Sequence, residues 1–154
     1  MKNKEVESLV KSTMQKNQVL VLVRGCPGSG KSTIAKEVAE EFGFAHFEND
    51  MFFMKNGKYC FDDKKVKDAA NWCYHNIEKA LFDGKNAVVA NVFVTNSSVN
   101  RYRDLAAQCG AEFIVFRSNA SFGDVHSVPR PVYNSMKAHF SDYPNEITLS
   151  MSAD

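Results

Sequence analysis

The chain has 154 residues, of which 44% are hydrophobic and 24% charged, and it carries a formal net charge of +1. That length supports one domain, residues 1–154, with a proper core, and the composition excludes a disordered or fibrous protein. The near-neutral charge excludes a global basic field for nucleic acid, so any polyanion must be met by a local patch.

Residues 3 to 16 put Val6, Leu9, Val10, Thr13 and Met14 on one face, which predicts a short amphipathic helix within the N-terminal segment 1–17. Val19-Leu20-Val21-Leu22-Val23 is a β-branched apolar run suited to a strand buried on both faces. Gly25-Cys26-Pro27-Gly28-Ser29-Gly30-Lys31-Ser32 follows and matches G-x-x-x-x-G-K-[ST] in full, and behind it Ile34, Ala35, Val38, Ala39 and Phe42 recur at helical spacing. A strand, this loop and a helix in that order make a P-loop, a binder of nucleotide phosphate. Backbone N–H groups must point inward at phosphate oxygens, so the tightest positions tolerate no bulky side chain. Gly25, Gly28 and Gly30 meet that need. Lys31 supplies an ammonium for the β and γ phosphates, Ser32 a hydroxyl for Mg²⁺, and the helix its positive N-terminal end.

Gly43 stops that helix, and Phe44-Ala45-His46-Phe47 reads as a second strand whose end carries Glu48-Asn49-Asp50. Residues 52 to 61 mix aromatics with Asn56-Gly57 and read as a loop. From Asp62 to Phe82 an apolar set of helical period predicts the longest helix, closed by Gly84. Ala87-Val88-Val89-Ala90-Asn91-Val92-Phe93 is a third strand, and Thr95-Asn96-Ser97-Ser98 caps a helix that Gly110 ends. Glu112 to Phe116 makes a fourth strand. Residues 118–130 form an irregular, lid-like segment, Pro131 starts a helix to about Phe140, and residues 146 to 150 alternate like an edge strand.

Strands alternating with helices predict an α/β P-loop fold, a three-layer sandwich with a mainly parallel sheet of four to five strands. Ligands in such sheets bind at the carboxyl ends of the strands, which gathers Gly25 to Ser32, Asp50, Asn91 and Arg117 at one crevice. Asp50 there accepts a proton from an acceptor hydroxyl or holds Mg²⁺ through water, unless it is a helix cap. Asn91 orients a substrate or metal-bound water, or serves only a turn. Transfer of a phosphoryl group needs a cation beyond Lys31; Arg117 is the first candidate, with Arg101, Arg103 and Arg130 flanking the region. His126 lies where a lid would cross the nucleotide and contacts phosphate or base unless it is structural. Phe52, Phe53, Tyr59 and Phe61 either stack an acceptor base or pack a loop.

The four cysteines, Cys26, Cys60, Cys73 and Cys109, show no metal or disulfide spacing and fit a reducing compartment. With no apolar stretch near about 18 residues, the expectation is a soluble, cytoplasmic protein with no membrane partner.

Arg24 to Thr33, then Asn49-Asp50, the strand with Asn91, and Val125-His126-Ser127-Val128-Pro129 before a helix together resemble the P-loop kinases related to the 5′-hydroxyl polynucleotide kinase domain, including AAA-type ATP-binding kinases of bacteria and their viruses. The resemblance spans roughly residues 18 to 141. It implies ATP on the loop, with Ser29, Lys31, Ser32, Thr33 and His126 among its contacts, Mg²⁺ at Ser32, and Asp50 as general base for a hydroxyl on a nucleic-acid 5′ end, a nucleoside or another small molecule. Two departures stand out: Phe53 where that family has an arginine after the base, and Phe122-Gly123-Asp124 where its lid carries one. A nucleotide-binding regulator without transfer activity, or a simple NTPase, are the competing expectations; Ala90-Asn91-Val92, lacking a Walker B carboxylate, counts against the second.

Overall fold

The computed structural model describes residues 1–119 and 129–149. Helix α1 (Lys4–Met14) opens on Asn3, whose Oδ1 accepts the Val6 N–H at 3.0 Å. It buries Val6 and Val10. Strand β1 (Val19–Arg24) is buried along its whole length and lies at the centre of a five-stranded sheet. Helix α2 (Lys31–Phe42) leads to β2 (Ala45–Phe47); β5 (Ala87–Asn91), α4 (Asn96–Cys109), β6 (Glu112–Ser118), α5 (Arg130–His139) and β7 (Ile147–Leu149) complete the main sheet and its helices. Between β2 and β5 lie a short 3₁₀ turn (Asn49–Phe53), the strands β3 (Met54–Lys55) and β4 (Lys58–Tyr59), a second 3₁₀ turn (Asp63–Lys65) and α3 (Val66–Phe82).

Strand order is β2-β5-β1-β6-β7. Every pairing in this sheet is parallel. The alternation of side chains along β1 builds both layers of core. Val19, Val21 and Val23 face Val6, Val10, Ile34 and Val38 of α1 and α2, whereas Leu20 and Leu22 face Cys73, Ile77, Val99 and Leu105 of α3 and α4. Helices on both faces of a parallel sheet are the three-layer architecture expected from the sequence.

Several boundaries move for local reasons. Strand β5 stops at Asn91 because Phe93 adopts φ +52°, a left-handed conformation that ends pairing and turns its ring edge-on to Tyr102 at 5.6 Å. The loop expected at 52 to 61 contains an antiparallel hairpin, since Asn56 (φ +52°) and Gly57 (φ +78°) form the two-residue left-handed turn that joins Lys55 to Lys58. The longest helix begins at Val66 rather than Asp62, whose carboxylate instead caps the 3₁₀ turn through the Lys64 N–H at 3.0 Å. Most of the lid-like segment, including His126, lies outside the described residues. Among the described residues, no helix is long and apolar enough to cross a membrane.

Candidate active site

The loop at the end of β1 is shaped by its glycines. Gly28 (φ +80°) and Gly30 (φ +90°) take left-handed conformations. A Cβ on Gly25 would sit 2.7 Å from the Ser118 carbonyl and against Ser29 Oγ, so only glycine lets β1 and β6 close around the loop here. Ser118 Oγ donates to the Ser29 carbonyl and ties the loop to β6. Helix α2 begins on Gly30 with no side-chain cap among the described residues and no acidic residue in its first turn. Ser29 Oγ is buried with no hydrogen-bond partner among the described residues. Amide donors at a helix start, beside a buried hydroxyl with no partner among the described residues, suit a phosphate chain.

Lys31 is half-buried at the first position of α2. Burial lowers its basicity, and Glu48, Asp50 and Cys26 oppose that effect. Both carboxylates come from the turn after β2. Glu48 is the more engaged: its Oε1 accepts the Ser32 hydroxyl at 2.6 Å and its Oε2 lies 2.6 Å from His46 Nε2. Burial alone would raise the Glu48 carboxyl, but the hydrogen bonds from His46 and Ser32 and the charges of His46 and Lys31 hold it below the ordinary value.

Asp50 lies two residues on, exposed, and accepts the Tyr59 hydroxyl at 3.3 Å. It is not a cap; Glu48 occupies the N-cap position of that turn. Asn91, at the end of β5, spends its Oδ1 on the Asn49 N–H at 2.8 Å, so it fixes the turn that presents Glu48 and Asp50.

Three of the candidate arginines are engaged with other side chains. Arg117 bonds Asp142 at 2.6 Å and Glu146 at 3.3 Å and stacks 4.6 Å from the Phe140 ring centre. Arg101 covers Tyr74 at 4.0 Å, Arg103 pairs with Asp104, and Arg130 is exposed at the start of α5. Arg24, read in the sequence only as a flank of the loop, is wholly buried. Phe52, Phe53, Tyr59 and Phe61 form one cluster with Trp72, and a cleft of about 620 Å³ opens beside it, lined also by Lys55, Asp62 and Lys65. Glu48 and Arg24 are what sequence reasoning missed. The signal for Glu48 was present in its position at the end of β2, but its contact with Ser32 depends on where β2 joins the sheet.

A family model described as AAA domain matches residues 20–141. Uncharacterized protein PM0531 of Pasteurella multocida (strain Pm70) is 30% identical over 152 residues, covering 86% of this chain and 83% of that protein. Among solved structures, Chaetomium thermophilum Kti12 in complex with ADP-AlF3 superposes with a TM-score of 0.63 at 12% identity, covering 88% of this chain and 90% of that one. Mycobacterium tuberculosis APS kinase CysC in complex with AMPPNP and APS gives a TM-score of 0.58 at 19% identity, with 90% and 92% covered. At these identities the structural likeness shows the fold, which is that of P-loop kinases.

Proposed function

The chain belongs to the AAA domain family matched over residues 20–141, and from that premise we propose that it is an ATP-dependent kinase that transfers the γ-phosphate to an acceptor hydroxyl. The observation that carries the reading is the convergence of Lys31, Glu48 and Asp50 on one end of the sheet, with charges that act on one another across the loop. Simple phosphate binding needs only the cation and the amides. An exposed carboxylate close to that cation is what proton removal from an acceptor requires.

In this reading the amides of residues 25 to 33, including Gly28, Ser29, Gly30 and Thr33, cradle the phosphate chain of ATP. Lys31 neutralises charge on the β and γ phosphates. Ser32 is the metal ligand, and Mg²⁺ when bound neutralises phosphate charge. Asp50 takes the proton of the attacking hydroxyl, and the Tyr59 hydroxyl holds the carboxylate toward the β3–β4 hairpin. The acceptor is a nucleic-acid 5′ end, a nucleoside or another small alcohol; the resemblance to polynucleotide kinases supports the first and the near-neutral charge the last. His126 is retained as a nucleotide contact on sequence grounds.

Arg117 favours a second reading. Its guanidinium is held by two carboxylates, so among the described residues Lys31 is the cation left at the loop, as a nucleotide-binding regulator without transfer activity would allow. Asp50→Asn separates the two. A kinase loses turnover by about 10²- to 10⁴-fold with ATP affinity kept; equal turnover in wild type and variant sinks the assignment of Asp50.

A further inference from the structure

On P-loops the divalent cation is held between the loop hydroxyl and a carboxylate, ordinarily at the end of a neighbouring strand. Strand β5, beside β1, offers Asn91 there, and that amide oxygen is already occupied by the Asn49 N–H. We infer that Glu48, reaching the loop from β2, is the carboxylate that holds Mg²⁺ together with Ser32, leaving Asp50 free for proton transfer.

Three observations carry this. Glu48 Oε1 lies 2.6 Å from Ser32 Oγ. Adjacent oxygens on an octahedral magnesium shell stand about 3 Å apart, so a cation needs only a few tenths of an ångström of opening between them. Next, Glu48 Oε2 is held by His46 Nε2 at 2.6 Å, the kind of outer hydrogen bond that fixes the direction of a ligating carboxylate. Finally, the hydrogen bond that Asp50 makes among the described residues is to Tyr59 and not to Ser32, so the two carboxylates have different surroundings, which suits separate tasks.

The inference rests on the nucleotide-binding part of the proposed function and not on transfer. Its test is electron paramagnetic resonance titration of Mn²⁺, standing in for Mg²⁺, into the full chain with ADP present. Glu48→Gln should weaken Mn²⁺ binding by about 10-fold or more, while ADP affinity measured in chelator stays within about twofold of wild type. An Mn²⁺ affinity equal to wild type overturns the inference, because a merely structural carboxylate would leave that readout unmoved. Should the variant not fold, the unaltered protein gives the answer: with its glutamate carboxyl carbons labelled with ¹³C, Mn²⁺ bound with ADP should show the coupling of a ligating carboxylate carbon by electron–nuclear double resonance, and its absence overturns the inference. If no acceptor is ever labelled yet Glu48→Gln loses Mn²⁺, the kinase reading fails and the metal site stands. Transfer in the wild type with unchanged Mn²⁺ affinity in Glu48→Gln gives the opposite outcome, in which the kinase reading stands and the metal site fails.

Discussion

Replacing Arg24 by Met should unfold the protein far more readily while leaving the phosphate loop's own residues intact. The guanidinium is fully buried at the end of β1 and donates to the Phe93 carbonyl at 2.6 and 3.2 Å, to Ser141 O at 2.8 Å and to Glu146 Oε1 at 2.9 Å, beneath the Phe140 ring at 4.3 Å. It therefore fastens the segments after β5 and before β7 to the central strand. Methionine fills much of the stem's volume, so the loss is chiefly of charge and hydrogen bonds. Removing one member of a buried ion pair costs about 3–5 kcal/mol. Glu146 keeps Arg117 at 3.3 Å and the Tyr143 N–H at 3.0 Å, which places the expected loss at the lower end, about 3 kcal/mol. At about 2–4 °C per kcal/mol for a chain of this size, Tm should fall by about 6–12 °C. Urea titration followed by the single tryptophan, Trp72, measures it. A loss below about 1 kcal/mol would refute the reasoning, since a residue that unites those segments cannot be removed at the cost of an ordinary surface change.

Lys31→Met should abolish nucleotide binding yet stabilise the fold by about 1 kcal/mol, because burial of the ammonium outweighs the help of Glu48, Asp50 and Cys26; a lower Tm in thermal unfolding would contradict this. The same shift makes the wild type, and not the variant, gain stability as pH rises from the folded pKa of Lys31 toward its unfolded 10.5. Glu48 works at the acid end. Its folded pKa lies below 4.5, so its stabilisation is complete above 4.5 and vanishes as pH falls through the folded value; stability of Glu48→Gln should be the flatter of the two there, and parallel acid profiles would argue against it. Asn91→Ala frees the Asn49 N–H and lets the turn bearing Asp50 drift, so turnover should fall by about tenfold or more with ADP affinity unchanged in calorimetry; unchanged turnover would remove Asn91 from the site's support.

Local pattern carried the elements whose packing is local in origin. The alternation in Val19 to Val23 needs helices on both faces, and both are there. The loop's glycines announce left-handed turns, which Gly28 and Gly30 take. Arg24 and Glu48 were opaque for the opposite reason. An arginine beside a glycine loop looks solvated; its partners are Phe93, Ser141 and Glu146, brought under β1 only by the completed sheet. Glu48 resembles any acidic residue after a strand until β2 docks on β5 and presents it to Ser32. Arg117 lies at the carboxyl end of β6 as the carboxyl-end rule expects, but the rule says nothing of Asp142 and Glu146, which bond it.

The central claim is phosphoryl transfer, and labelled γ-phosphate tests it most directly. ATP carrying radiolabel in that position is incubated with the protein, Mg²⁺ and a panel of 5′-hydroxyl oligonucleotides, nucleosides and cell extract, with Lys31→Ala as control. The account predicts that wild type moves label onto a hydroxyl in at least one arm and that the control moves none. Intact ATP binding with no acceptor labelled in any arm would contradict it.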